Sequence, residues 1–153
     1  MTRPALTAIA VIGTALLCAI GCSTTDYVVD ASDRVKAANW EEMETVQVIL
    51  KEYSFAPSKL TFREGVPYKL RIANEGTAKH YFTAPEFFKA IATRKVQSNA
   101  DGEIKAPYFL ALEVFPRRSL DLYFVPVKKG KYPLLCTIKG HAEHGMTGSI
   151  LVE

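Results

Sequence analysis

The residues best equipped for chemistry stand together in Cys136-Thr137-Ile138-Lys139-Gly140-His141-Ala142-Glu143-His144-Gly145-Met146. A thiol, two imidazoles and a thioether are soft or borderline donors, which select copper over magnesium or calcium. A loop of this kind can hold three of them around one ion. The fourth has to come from a distant part of the chain, where His80 is the one remaining histidine. Each residue alone has a plainer reading. A lone strand cysteine is most often a small buried hydrophobe, methionine is ordinary core filler, and His80 could be a satisfied surface histidine. The argument for a site rests on their coincidence. His141 and His144 compete for one position: Gly140 just before His141 and the Gly145-Met146 step favour His141, which leaves His144 in solvent near the site.

Copper that exchanges electrons needs a fixed compromise between the geometries of its two oxidation states, and strands hold such a set better than mobile loops. The chain offers strands. Val46, Val48 and Leu50 alternate with Thr45, Gln47, Ile49 and Lys51, a period-two signature. Phe55-Ala56-Pro57 breaks it, Leu60-Thr61-Phe62 starts another strand, and Tyr68, Leu70 and Ile72 alternate before the turn Asn74-Glu75-Gly76. Further strands are expected at Leu110–Phe115, Ser119–Val125, Tyr132–Cys136 and Ser149–Val152. The spacing predicts an all-β sandwich or barrel, with His80 after the Leu70–Asn74 strand and its turn. One short helix is inserted after His80: Thr83 and Glu86 have capping-box spacing, Pro85 suits a first turn, and Phe87, Phe88, Ile91 and Ala92 recur at helical period as far as Lys95.

Cys-x4-His-x4-Met resembles the ligand loop of type 1 (blue) copper proteins, the cupredoxins, with spacing closest to rusticyanin. Phe55-x-Pro57-x-x-Leu60-x-Phe62-x-x-Gly65, followed by Asn74 and His80, resembles the N-terminal half of many members. The resemblance covers Val46 to Glu153. It implies a Greek-key β-sandwich, with His80, Cys136 and His141 as equatorial ligands, Met146 as the axial one, and one type 1 copper ion as cofactor. It departs from the family at Tyr81, where many members carry an asparagine that ties the two ligand loops together.

The 153 residues have room for one domain and an export segment. Arg3 followed by the apolar run Ala5–Ile20 fits a signal peptide, being short for a membrane span. Ala19-Ile20-Gly21-Cys22 resembles a bacterial lipobox, although alanine stands where leucine is usual. That gives a signal peptide over 1–21, a polar tether over 22–44 and a metal-binding domain over 45–153, with Cys22 lipidated. Ser23 resembles the default for outer-membrane sorting on the periplasmic face. Trp40 either packs back on the domain or stands alone. Cys18 leaves with the signal, so Cys136 is the one thiol of the folded domain, and an unpaired thiol in an oxidising compartment is a liability or a ligand. Without residues 1–21, which hold Arg3 and no acid, 18 basic side chains face 16 acidic ones. This balance and the lack of an aromatic-interleaved basic stripe argue against nucleic acid as a partner.

Four functions are compatible with the pattern. The first is a monomeric one-electron carrier between redox proteins such as envelope cytochromes or oxidases. The second is a copper-handling protein that buffers or delivers the metal. Carriers of that sort favour open Met/His-rich sites, and this chain has three methionines including the initiator. The third, an enzyme, is disfavoured: a second copper centre needs more histidines than His144 alone, and a binuclear purple centre needs a second loop cysteine. The fourth is a metal-free or zinc-bound interaction domain, although zinc seldom uses methionine.

Overall fold

Alternating apolar residues fold back to back into two sheets. The computed structural model describes residues 27–98 and 102–153. The expected signal peptide, the lipobox-like motif and Cys22 lie outside the described residues. In chain order the elements are α1 (Ala31–Ala37), β1 (Glu44–Lys51), β2 (Ser54–Ala56), β3 (Lys59–Phe62), β4 (Tyr68–Asn74), β5 (His80–Thr83), α2 (Pro85–Phe88), β6 (Ile91–Ser98), β7 (Gly102–Ile104), β8 (Ala111–Val114), β9 (Ser119–Pro126), β10 (Gly130–Leu135) and β11 (Thr147–Val152). One sheet runs β2-β1-β4-β9-β6-β7 and the other β3-β11-β10-β5-β8. Most neighbours are antiparallel; β1 with β4 and β3 with β11 are parallel. This is the expected two-sheet β-sandwich with a short helix after His80.

The period-two residues point inward. Val48 and Leu50 of β1, Leu60 and Phe62 of β3, and Tyr68, Leu70 and Ile72 of β4 are all buried. Phe62 is the hub of an aromatic cluster, 4.9 Å from Tyr68 and 5.1 Å from Phe124 between ring centroids, and Phe87 lies 5.4 Å from Phe124. Near-perpendicular rings at these distances attract beyond their buried area.

The helix after His80 is much shorter than expected. α2 makes a single turn, and Ile91 to Ser98 is strand, paired along its length with β9. The capping box does not form. Ala84 is the N-cap and has no side-chain bond, while the Thr83 hydroxyl lies 3.1 Å from that of Thr137. Phe87 and Phe88 do pack into the sandwich, both fully buried. Three further strands escaped the sequence reading: β2, where a break was expected, β5, which begins at His80, and β7.

Within 22–44, α1 and a 3-10 turn at Trp40–Glu42 lie against the domain. The Trp40 indole donates to the Val35 carbonyl at 2.8 Å, and the Arg94 guanidinium sits 4.6 Å above its ring. Trp40 therefore packs back on β6. Among the described residues no helix is long and apolar enough to cross a membrane.

Candidate metal centre

The candidate ligands converge at one end of the five-stranded sheet. His80 is the first residue of β5, Cys136 directly follows β10, and Met146 directly precedes β11. β5 and β10 are neighbours, joined through Thr83 and Leu135, which carries His80 beside Cys136. The antiparallel β10–β11 pair continues beyond its last rung, since the Cys136 amide donates to the Met146 carbonyl at 3.1 Å. The Met146 amide in turn donates to the His141 carbonyl at 2.9 Å. Gly140 at φ 85° and Gly145 at φ 105° let the chain make this tight reversal, a backbone region costly for other residues.

Donor atoms of His80, Cys136 and His141 lie within 4.8 Å of one another. The Cys136 Sγ is 3.5 Å from His141 Nδ1, and the two imidazole rings are 5.2 Å apart at an angle of 56°. His80, Cys136 and Met146 are buried, and His141 is half-buried. Both ring nitrogens of His80 are buried and have no hydrogen-bond partner. Burying such groups unpaired is costly, so an orphaned imidazole facing a thiol calls for a further partner. Burial first, and the neighbouring His141 second, push the His80 imidazole below its ordinary value. It is therefore neutral near pH 7, with a lone pair to give. The donor chemistry and the orphaned nitrogens fit a single copper ion of type 1.

His144 stands apart from this group. It is exposed, and its Nδ1 lies 2.5 Å from the Gly140 carbonyl, so the nitrogen is spent on the loop's own backbone.

Several further residues position the ligands, and of these Glu52, Tyr53 and Thr137 gave no sequence signal. The Tyr81 amide donates to Cys136 Sγ across 3.4 Å. The Thr83–Thr137 hydroxyl pair links the His80 strand to the residue after the cysteine. Asn74 anchors the turn before His80: its Oδ1 accepts from the Gly76 amide at 2.8 Å, and its Nδ2 donates to the Ala78 and Val114 carbonyls, each at 2.8 Å. Glu52 grips the same turn from outside, accepting from the Thr77 amide at 2.5 Å, the Thr77 hydroxyl at 3.0 Å and the Ala78 amide at 3.2 Å. These donors, led by the Thr77 amide, hold its carboxyl down at about 2. Tyr53, at φ 62°, covers the ligand loop, with its ring 5.3 Å from His141 and 4.8 Å from His144. A tyrosine in left-handed backbone carries no sequence mark, and partners 25 residues apart, as for Glu52 and Thr77, are visible only after folding.

No family model matches the sequence, and no curated protein matches it. Similar folds occur among solved structures. Reduced auracyanin from the photosynthetic bacterium Roseiflexus castenholzii is 19% identical, with a TM-score of 0.51 over 71% of this chain and 96% of its own. Auracyanin B is 23% identical, with a TM-score of 0.50 over 71% of this chain and 88% of its own. A multi-copper oxidase from Pediococcus acidilactici is 12% identical, with a TM-score of 0.58 over 76% of this chain but only 27% of its own. These likenesses give the chain the cupredoxin fold.

Proposed function

We propose that this protein is a one-electron carrier with one type 1 copper ion, held equatorially by His80, Cys136 and His141 and axially by Met146. The observation that carries the reading is the buried His80, with both ring nitrogens unpartnered, facing Cys136 and His141 within 4.8 Å. Copper in such a set supplies reversible one-electron exchange between Cu(I) and Cu(II). The protein's part is to hold the donors still. Strand ends and the bonds of Asn74, Glu52 and Thr83 do so, so little has to move when charge changes. Burial keeps water from the cysteine and the methionine, while half-buried His141 gives the centre an edge toward solvent. The loop spacing, which resembles that of rusticyanin most, supports this assignment.

Within this reading the chain is exported through residues 1–21 and lipidated at Cys22. It acts as a monomer on the periplasmic face of the envelope, at the outer membrane, and exchanges electrons with proteins such as cytochromes or oxidases. It is not itself an enzyme. Exposed aromatic surface from Tyr53 and Phe115 at the ligand end suits such docking.

The test is spectroscopic. The domain lacking residues 1–22 is expected to bind one Cu(II) and show an intense visible thiolate-to-copper band. Cys136→Ser and His141→Ala should abolish the type 1 spectrum, and His144→Ala should leave it nearly intact. A band that survives Cys136→Ser overturns the proposal. A spectrum lost with His144 but kept without His141 moves the ligand three residues along.

A further inference from the structure

Away from the ligand end, the sandwich has an open side between the edge strands β7 and β8. A cavity of about 470 Å³ opens there, lined by Val96, Ile104, Phe109, Leu112 and Leu120 among others. Exposed apolar side chains stand in and beside it, Ile104 at 63%, Leu110 at 59% and Tyr108 at 48%, while the two carboxylates in its lining, Glu103 and Glu113, are each paired with lysine. Edge strands with bare apolar side chains invite association, and proteins ordinarily blunt or cover them. The chain enters the described structure at this very place. Tyr27 stacks on Tyr108 with ring centroids 4.1 Å apart, and Val29 two residues later is fully exposed.

We infer that this β7–β8 face, with Val29, Ile104, Tyr108 and Leu110, rests on the surface of the lipid bilayer. The inference builds on the lipidation of Cys22 proposed above. Four residues lie between Cys22 and Tyr27, so the five steps from one to the other reach at most ~18 Å even when fully extended. An acylated Cys22 therefore holds the Tyr27–Tyr108 stack within that distance of the membrane. A short tether makes docking intramolecular, so a patch too weak to bind lipid from solution still binds at the high effective concentration. Tyrosine rings suit the interface because one end is apolar and the other polar. Charge adds little: Lys36 and Lys105 border the face, but their amines sit in exposed pairs with Asp33 and Glu103. Apolar contact carries the docking.

The consequence is an orientation. Val114, the β8 partner of His80, lies four residues along the same edge from Leu110, or ~13 Å away. The bilayer thus takes the side of the sandwich, and the His141 end stays free for a redox partner moving along the membrane.

The experiment uses the full chain processed in a bacterial host and reconstituted into phosphatidylethanolamine–phosphatidylglycerol vesicles, with the Cys22→Ser protein in solution as reference. Intact mass reads acylation, and hydrogen exchange reads the docked face. The expected result is an acylated protein whose 102–110 amides exchange roughly tenfold more slowly on vesicles than in solution, with 137–146 unchanged. Ile104→Glu/Leu110→Glu should remain vesicle-bound through its acyl chains yet lose that protection. A mass without acyl chains overturns the anchor, and the orientation falls with it. An acylated protein with 102–110 unprotected, or with protection at 137–146 instead, overturns the orientation alone.

Discussion

At the scale of single residues, the site depends on groups that never touch the ion. Glu52 is the clearest case. It is solvent-facing, yet three donors from the turn before His80 converge on one oxygen and lower its carboxyl from the ordinary 4.5 to about 2. A carboxyl lowered in the folded state stabilises fully above its unfolded value, and the contribution is lost as pH falls through the folded value. In the metal-free domain, this part of the stability should hold above pH 4.5 and fade toward about 2. Glu52→Gln keeps an acceptor oxygen but gives up the charge-assisted bonds, which are roughly twice as strong as neutral ones. It should be less stable at pH 7 and show a flatter decline in acid, as measured by denaturant midpoints at stepped pH. An unchanged acid profile would mean that Glu52 does not secure the turn.

At the scale of elements, most of the sandwich was legible because alternation survives wherever one face of a strand is buried. β1, β4 and β9 could be placed from it, and the strand–loop–strand frame of Cys136 to Met146 followed from turn residues. β6 was not legible. Ile91, Ala92 and Thr93 are buried in succession, since the core covers one face and α1 lies across the strand on the other side. A strand covered on both faces loses its period. With Phe87 and Phe88 just upstream, the apolar positions then matched a helix by accident. Tertiary packing also carries constraints that no pattern announces, as at Gly148. A Cβ there would stand 2.5 Å from the Ser58 carbonyl, which accepts from the Ser149 amide where β11 meets β3. Gly148→Ala should push β11 from β3 at a cost on the order of 1–3 kcal/mol. Thr147→Ala, at an exposed neighbouring position, should be close to neutral. Equal denaturation midpoints for the two variants would refute the close-approach account.

At the scale of the whole molecule, one sheet carries the site and the other braces it. His80, Cys136 and Met146 hang from β5, β10 and β11, while Asn74 at the end of β4 reaches the Val114 carbonyl across the sandwich. Such bracing suits a centre that changes charge without changing shape. A protein built to hand over its metal needs the opposite, an exit path and ligands that let go. Met146→Gln separates the two designs. Replacing a weak thioether by a stronger oxygen donor favours Cu(II) relative to Cu(I), so the reduction potential should fall while copper stays bound. The buried, backbone-clamped position of residue 146 makes that substitution a change of donor inside a fixed frame. Beside it, stopped-flow mixing of the native protein with envelope cytochromes should show fast electron exchange and no metal loss. Incubation with a metal-free acceptor should leave the visible band intact over the same period. Rapid transfer of copper to the acceptor with sluggish electron exchange would reverse the assignment, making the braced end of this sandwich a store for copper rather than a relay for electrons.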